Sequence, residues 1–117
     1  MLTNCRQTPE FQKDFKKLAK RYRTLADDLV VFESVINTKP LGFGKNFVVL
    51  ARQKGIVIVK ARLFCRSLKR NSLRIIYAYA EQSLEIKLVG IEFIELYFKG
   101  DKEREDGERI KSYLDSQ

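Results

Sequence analysis

The chain has 117 residues, of which 44% are hydrophobic, which suffices for one globular domain with a modest core. Its 23 Lys and Arg outnumber 15 Asp and Glu, and the net charge of +8 favours a polyanionic partner: nucleic acid, an acidic protein or an anionic membrane surface. No apolar run approaches the ~20 residues that span a bilayer, and the first residues lack the apolar region of a secretory signal. We therefore expect a cytoplasmic protein without membrane association; a merely basic surface would explain the charge if the cations do not cluster.

The residue types present also restrict metal and cofactor chemistry. Cys5 and Cys65 are far apart, lack CxxC spacing and are expected to be reduced thiols that pack as small hydrophobes. The chain has no His, and a structural zinc site needs four N or S ligands. We expect no metal and no cofactor.

An edge strand at residues 3–8 and two amphipathic helices are predicted in the first third of the chain. The first helix begins at Pro9 with Thr8 as its N-cap, and apolar residues follow at helical spacing. The second begins near Thr24 and ends before Pro40, because a residue that precedes proline disfavours the α conformation. The short connection between them favours an antiparallel hairpin.

After a loop at residues 41–46, the hydrophobic period changes from helical to two. Strands are predicted at residues 56–66, 73–80 and 85–98, the last with a bulge at Gly90, and they most simply form an antiparallel meander. Residues 103–114 are predicted to form a closing helix. The expected fold is therefore α+β: one domain, residues 1–117, with a helical hairpin on a small antiparallel sheet (edge strand plus three-strand meander) and a C-terminal helix.

Cations are concentrated on one predicted face of this sheet. Alternate residues of the first meander strand form a wholly apolar face that should contact the helices: Val57, Val59, Ala61, Leu63 and Cys65. The opposite face holds three cations and no carboxylate: Ile58, Lys60, Arg62, Phe64 and Arg66. If the register aligns the strands, the later ones add Arg74, Glu95, Tyr97 and Lys99 to this face.

Two interpretations of this basic face compete. Antiparallel sheets often keep one polar face in solvent, so the row is explained in part as an ordinary outer surface. However, like charges along one face repel each other, which is tolerable when a polyanion normally covers them. The absence of a carboxylate from the first row favours the functional interpretation.

The available side chains suit RNA cleavage by the substrate's own 2′-hydroxyl. Without His, a His-based triad and paired-His acid–base catalysis are excluded. Arginine stabilises the charge of a phosphorane-like transition state with its planar donor fork. A lysine crowded by other cations is expected to have a lowered pKa and to act as the base, and Tyr or Lys can protonate the leaving oxygen.

The order of elements and three strand motifs resemble the RelE/ParE superfamily of bacterial toxins. The motifs are Val59-Lys60-Ala61-Arg62-Leu63, Leu73-Arg74-Ile75-Ile76-Tyr77 and Ile94-Glu95-Leu96-Tyr97-Phe98-Lys99, preceded by the helix segment Phe11-Gln12-Lys13-Asp14-Phe15-Lys16-Lys17-Leu18. The resemblance covers nearly the whole chain. It implies a type II toxin–antitoxin system, in which a RelE-like toxin cleaves mRNA on the ribosome without a metal and a cognate antitoxin protein holds it inactive.

The resemblance also implies roles for individual residues. Lys60 and Arg62 match the two basic residues of the family's first meander strand, one a candidate base and the other a phosphate ligand, and Arg74 matches the arginine that contacts the scissile phosphate. Lys99 or Lys102 lies near a further cation of the family. The predicted catalytic set is thus Lys60, Arg62, Arg74, Tyr97 and Lys99, and the predicted RNA and phosphate contacts are Arg66, Lys69, Arg70 and Lys102.

One departure from the family keeps the function open. RelE-like ribonucleases often carry a catalytic Tyr or His near the C-terminus, whereas residues 101–106 of this chain contain neither. An mRNA endonuclease that inhibits translation is the first hypothesis. The alternatives are a ParE-like inhibitor of DNA gyrase and a non-catalytic module that binds RNA or the antitoxin. The oligomeric state is not indicated by the sequence.

Overall fold

The computed structural model describes residues 4–68, 72–80 and 90–117. In these residues the chain is α+β, with three α-helices and a mixed five-stranded sheet. None of the helices in this part of the chain is both long and apolar enough to cross a membrane.

In the described residues, one strand and two helices precede four consecutive strands, and a third helix follows them. In chain order they are β1 (Asn4–Gln7), α1 (Pro9–Ala19), α2 (Leu25–Thr38), β2 (Phe47–Gln53), β3 (Ile56–Phe64), β4 (Ser72–Ala80), β5 (Gly90–Phe98) and α3 (Gly107–Asp115), with a 3₁₀ turn at Gly44–Asn46.

The start of α1 and the end of α2 follow their predicted signals, whereas the start of α3 does not. The Thr8 hydroxyl accepts a 3.1 Å hydrogen bond from the Phe11 N–H and so caps α1 in front of Pro9. Helix α2 ends two residues before Pro40, as predicted. Helix α3 begins later than predicted, because Asp106 is its N-cap and accepts from the Arg109 N–H at 3.2 Å.

The sheet differs from the prediction in two respects. First, it is mixed: its order is β1-β5-β4-β3-β2, and β1 pairs with β5 in parallel while every other pair is antiparallel. The helical hairpin carries the chain from β1 to the opposite edge of the sheet, and the meander returns to β5 in the direction of β1. The expectation of a purely antiparallel sheet was therefore wrong.

Second, the meander has four strands, since β2 precedes the three strands that the sequence predicts. The overlooked signal is the pair Lys54-Gly55, with φ of 52° and 79°, which forms a tight hairpin turn of the kind that requires positive φ at both central residues. It joins the β-branched segment of β2 to β3. Strand β3 ends at Phe64, earlier than predicted; the predicted start of the last strand (85–89), the tight connection at 81–83 and part of the polar turn (69–71) lie outside the described residues.

Both faces of the sheet carry a core. The predicted apolar residues of β3, from Val57 to Cys65, are buried against α1 and α2, which confirms that face. On the opposite face α3 covers one end of the sheet through a smaller cluster: Ile58, Ile76, Ala78, Ile94 and Leu114. The other end of that face carries the arginines of β3 and β4, and α3 does not line the cleft found there.

Candidate functional site

The strand register brings the predicted cations of the sheet together. Arg62 of β3 lies directly opposite Arg74 of β4, and Arg74 lies opposite Tyr97 of β5. The neighbouring row runs from Lys60 through Ile76 to Glu95. Side chains directly opposite each other in such pairs have Cβ atoms about 4.5–5.5 Å apart, so these groups share one surface, as predicted.

An open cleft of about 250 Å³ lies over these rows, and we call it the basic cleft. Among the residues that the structure describes, it is lined by five cations and no carboxylate; these lining residues are Lys45, Asn46, Val48, Leu50, Lys60, Ala61, Arg62, Arg74 and Lys99. Lys45 was not predicted, because its position in the cleft follows from β2, which starts two residues after it.

The two opposed arginines are held as uncompensated charges. Arg74 is half-buried and donates to the carbonyl and hydroxyl oxygens of Ser72, at 3.1 and 2.9 Å. Burial lowers the pKa of Arg74, and the positive charge of Arg62 lowers it further. Arg62 is exposed and forms no ion pair with any described residue. A bound anion would relieve the repulsion between them.

Lys60, in contrast, has a carboxylate of its own chain. Its ammonium donates to Glu105 at 2.9 Å, and both side chains are about a quarter exposed, at 27% and 23%. Burial lowers the pKa of Lys60, but the Glu105 carboxylate and the nearby Tyr97 oxygen outweigh it, so the pKa is raised. This is the reverse of the lowered pKa that the sequence suggested, because the negative charge of Glu105 stabilises the Lys60 ammonium despite the neighbouring cations. Lys60 is therefore held as a cation and is poorly suited to be a base.

Tyr97 lies beneath the segment that carries Glu105. It is only 5% exposed, and its hydroxyl makes no hydrogen bond of regular geometry to a described residue, although the Lys60 ammonium is close enough to interact with it. Burial raises the pKa of this phenol, and the Lys60 ammonium opposes the increase. A buried hydroxyl without a regular hydrogen bond is uncommon, and it adjoins the cleft through Lys60 and Arg74.

Lys102 fixes the same segment. Its ammonium pairs with the buried Glu95 carboxylate and lies 5.3 Å from the centre of the Tyr97 ring. Glu95 also accepts from the Asp106 N–H at 2.8 Å. Lys102 thus holds the segment after β5 against Tyr97. It is not among the residues that line the basic cleft, so its predicted role as a phosphate contact is not favoured.

Arg66 does not belong to the basic row, so that part of the prediction was wrong. It follows β3 and turns to α2, where its side chain donates to the buried Asp28 at 2.9 Å. Its backbone N–H also donates to Asp28, at 3.0 Å. Arg66 therefore attaches the end of β3 to the helices. The predicted contacts Lys69 and Arg70 lie outside the described residues.

In residues 4–68, 72–80 and 90–117, no three Cys, Asp or Glu side chains are gathered so that they could hold a metal ion. Comparisons of this chain with protein-family models, with curated proteins and with solved structures gave no match.

Proposed function

We propose that the protein is a toxin of a type II toxin–antitoxin system with a RelE-like fold, and that it inhibits translation as a metal-independent, ribosome-dependent mRNA endoribonuclease. One observation carries the proposal: Arg62 and Arg74 face each other on adjacent strands, in an open cleft whose described lining residues include no carboxylate. A phosphodiester is the kind of ligand that two such guanidinium groups bind well, because each presents a planar fork of donors.

The cations divide the proposed reaction between binding and charge stabilisation. The 2′-oxygen attacks the phosphorus while the bond to the 5′-oxygen breaks, leaving a 2′,3′-cyclic phosphate and a 5′-hydroxyl. Arg62 and Arg74 hold the non-bridging oxygens and stabilise the additional negative charge of the transition state. Lys45 and Lys99, on the rim of the cleft, hold the flanking phosphates.

The raised pKa of Lys60 favours a role as acid or as fixed charge. Lys60 protonates the departing 5′-oxygen directly or through the neighbouring Tyr97 phenol, while the proton of the 2′-hydroxyl passes to water. This assignment replaces the base role that the sequence suggested for Lys60.

The cognate antitoxin is proposed to cover the basic cleft with an acidic segment. The cleft has five lining cations, so the complex should weaken as the salt concentration rises. An affinity that stays constant from low to high salt would contradict this part of the proposal.

The test is expression of the wild-type chain, Arg74→Ala and the charge-matched control Arg23→Ala, whose exposed side chain lies in the α1–α2 connection. Growth should stop with the wild type and the control and continue with Arg74→Ala. Translating ribosomes should yield mRNA cut in the A site with the first two proteins only. Intact mRNA together with inhibited DNA supercoiling would instead identify a gyrase inhibitor. Normal growth with folded wild-type protein would contradict both.

A further inference from the structure

Phe64 is a large aromatic residue that the fold leaves exposed. It is the last residue of β3, 63% of its surface is accessible, and it belongs to neither core cluster. Its ring makes no contact with another ring or a cation in the described part of the chain. Packing within the described part of the domain therefore does not explain its exposure.

The strand register places Phe64 on the same face of the sheet as the arginines of the basic cleft. Phe64 and Arg62 point to the same face of β3, with Cα atoms about 6.6 Å apart, since alternate residues of a strand share a face. Across the strand pair Phe64 lies opposite Ser72. The Ser72 hydroxyl accepts a hydrogen bond from Arg74, so this guanidinium is held at the residue opposite Phe64. Ser72 is small, and most of the Phe64 surface stays accessible.

We infer that Phe64 is a stacking platform for one nucleobase of single-stranded RNA, whose adjoining phosphate is bound by Arg62 and Arg74. An aromatic side chain next to a basic groove is the arrangement by which proteins bind single strands, because every base offers a face that can stack. This inference rests on the proposed function and narrows its substrate to an unpaired strand. Bases in a duplex are stacked on each other and are not free to cover the ring.

A second exposed phenylalanine provides a matched control. Phe43 is 61% exposed, but its ring packs 6.1 Å from Phe47 and lies below the Lys39 ammonium at 5.5 Å. Phe47 is paired with Ala61 and packs against the core on the helix side of the sheet. Phe43 is therefore equally exposed and aromatic but lies on the face opposite the cleft.

The experiment measures binding of a short, 2′-O-methylated single strand containing 2-aminopurine, whose fluorescence falls when the base stacks. Phe64→Leu should weaken binding at least about 5-fold and abolish the fluorescence change, whereas Phe43→Leu should do neither. Phe64→Trp should restore binding, and because the chain has no other Trp, its emission should be quenched by the RNA. Replacing the stacked base by an abasic position should make the wild type and Phe64→Leu bind equally.

Unchanged RNA affinity in Phe64→Leu would overturn the inference and leave Phe64 as a contact for a protein partner. If Arg74→Ala loses binding and growth arrest while Phe64→Leu keeps both, the proposed function stands and the platform fails. If the folded wild type binds neither the 2-aminopurine strand nor its abasic counterpart, the inference that Phe64 stacks on a base fails, whatever the translation assay shows. Equal losses of affinity for single-stranded RNA and for inorganic polyphosphate in Phe64→Leu would also contradict it, because polyphosphate has no base to stack.

Discussion

The Lys60 ammonium is paired at 2.9 Å with the carboxylate of Glu105, which lies 45 residues further along the chain. The pair joins β3 to the charged segment between β5 and α3. It also neutralises one of the five cations that line the basic cleft. A phosphate that approaches Lys60 must therefore compete with a carboxylate of the same molecule.

Glu105→Gln should consequently strengthen the binding of single-stranded RNA by roughly 2- to 5-fold, the equivalent of a partly exposed ion pair. The plot of log affinity against log salt should steepen by about 0.7, since one more cation then contributes counterion release. The measurement is a salt titration of fluorescence anisotropy. The pKa of Lys60 should fall at the same time, because only burial and Tyr97 would then act on it.

Glu103→Gln is the matched control, since it removes the same charge from an exposed residue of the same segment. If both variants strengthen binding equally, net charge explains the effect and the ion pair does not restrict Lys60. If neither does, the cleft does not use Lys60 to bind RNA.

The opposition of Arg62 and Arg74 should cost the fold some stability. Like charges directly opposite each other in a sheet are destabilising, and a cross-strand pair is worth about 0.2–1 kcal/mol. Arg62→Gln should therefore raise the free energy of unfolding by this amount in urea, while weakening RNA binding about 10-fold. Arg23→Gln, which removes an equivalent exposed charge away from the sheet, should leave both quantities nearly unchanged. A destabilised Arg62→Gln would show that the guanidinium has a stabilising contact.

Much of the fold follows from local signals. The N-cap Thr8 before Pro9, the end of α2 before Pro40 and the alternation of β3 each act within a few residues, and all three were predicted correctly. The parallel pairing of β1 with β5 joins residues more than 80 positions apart. No local pattern specifies such a pairing. Strand β2 is a different case: its Lys54-Gly55 turn is a local signal, and it could have predicted the hairpin of β2 and β3.

The site was predictable to the extent that it lies on strands. Alternation placed Lys60 and Arg62 on one face, and the register added Arg74. Glu105, which pairs with Lys60, and Lys45, a further cation of the cleft, were not predictable, because both come from segments without periodic spacing of apolar residues. For the same reason the pKa of Lys60 was expected to shift in the wrong direction.

Asp28 should make the stability of the protein depend on acid pH. Burial favours a raised pKa, but hydrogen bonds from Thr24 and from the backbone and side chain of Arg66 outweigh it, so the pKa of Asp28 is lowered. A carboxyl group whose pKa is lower in the folded state stabilises the fold above its unfolded pKa of about 3.9, and this contribution is lost as the pH falls through the folded value.

Asp28→Asn should thus lower the free energy of unfolding by about 1–3 kcal/mol at neutral pH, and the difference from the wild type should shrink below about pH 4. Urea unfolding at a series of pH values measures both. Asp27→Asn is the control, because Asp27 is 82% exposed and reaches Arg66 only at 3.6 Å. A deficit that persists undiminished below pH 3 would show that packing, and not the charge of Asp28, is responsible.

Two tyrosines with contrasting hydroxyl environments separate packing from chemistry. The Tyr97 hydroxyl is buried and makes no hydrogen bond of regular geometry in the described residues, whereas the Tyr113 hydroxyl donates to Glu92 at 2.9 Å. Leaving a buried polar group unpaired costs about 1–3 kcal/mol, while an ordinary hydrogen bond contributes about 1 kcal/mol. Tyr97→Phe should therefore leave the free energy of unfolding unchanged or raise it by about 1 kcal/mol, and Tyr113→Phe should lower it by about 1 kcal/mol.

The same pair tests whether Tyr97 takes part in the proposed cleavage. If its phenol helps Lys60 to protonate the leaving oxygen, Tyr97→Phe should slow mRNA cleavage by about 100-fold although the protein is at least as stable. Tyr113→Phe should cleave at the wild-type rate although it is less stable, because its hydroxyl binds Glu92 rather than the cleft. Cleavage assays at saturating ribosomes, set beside urea unfolding, measure both effects. Full activity in Tyr97→Phe would assign the proton to Lys60 alone, and loss of stability in that variant would mean that the Tyr97 hydroxyl has a partner after all.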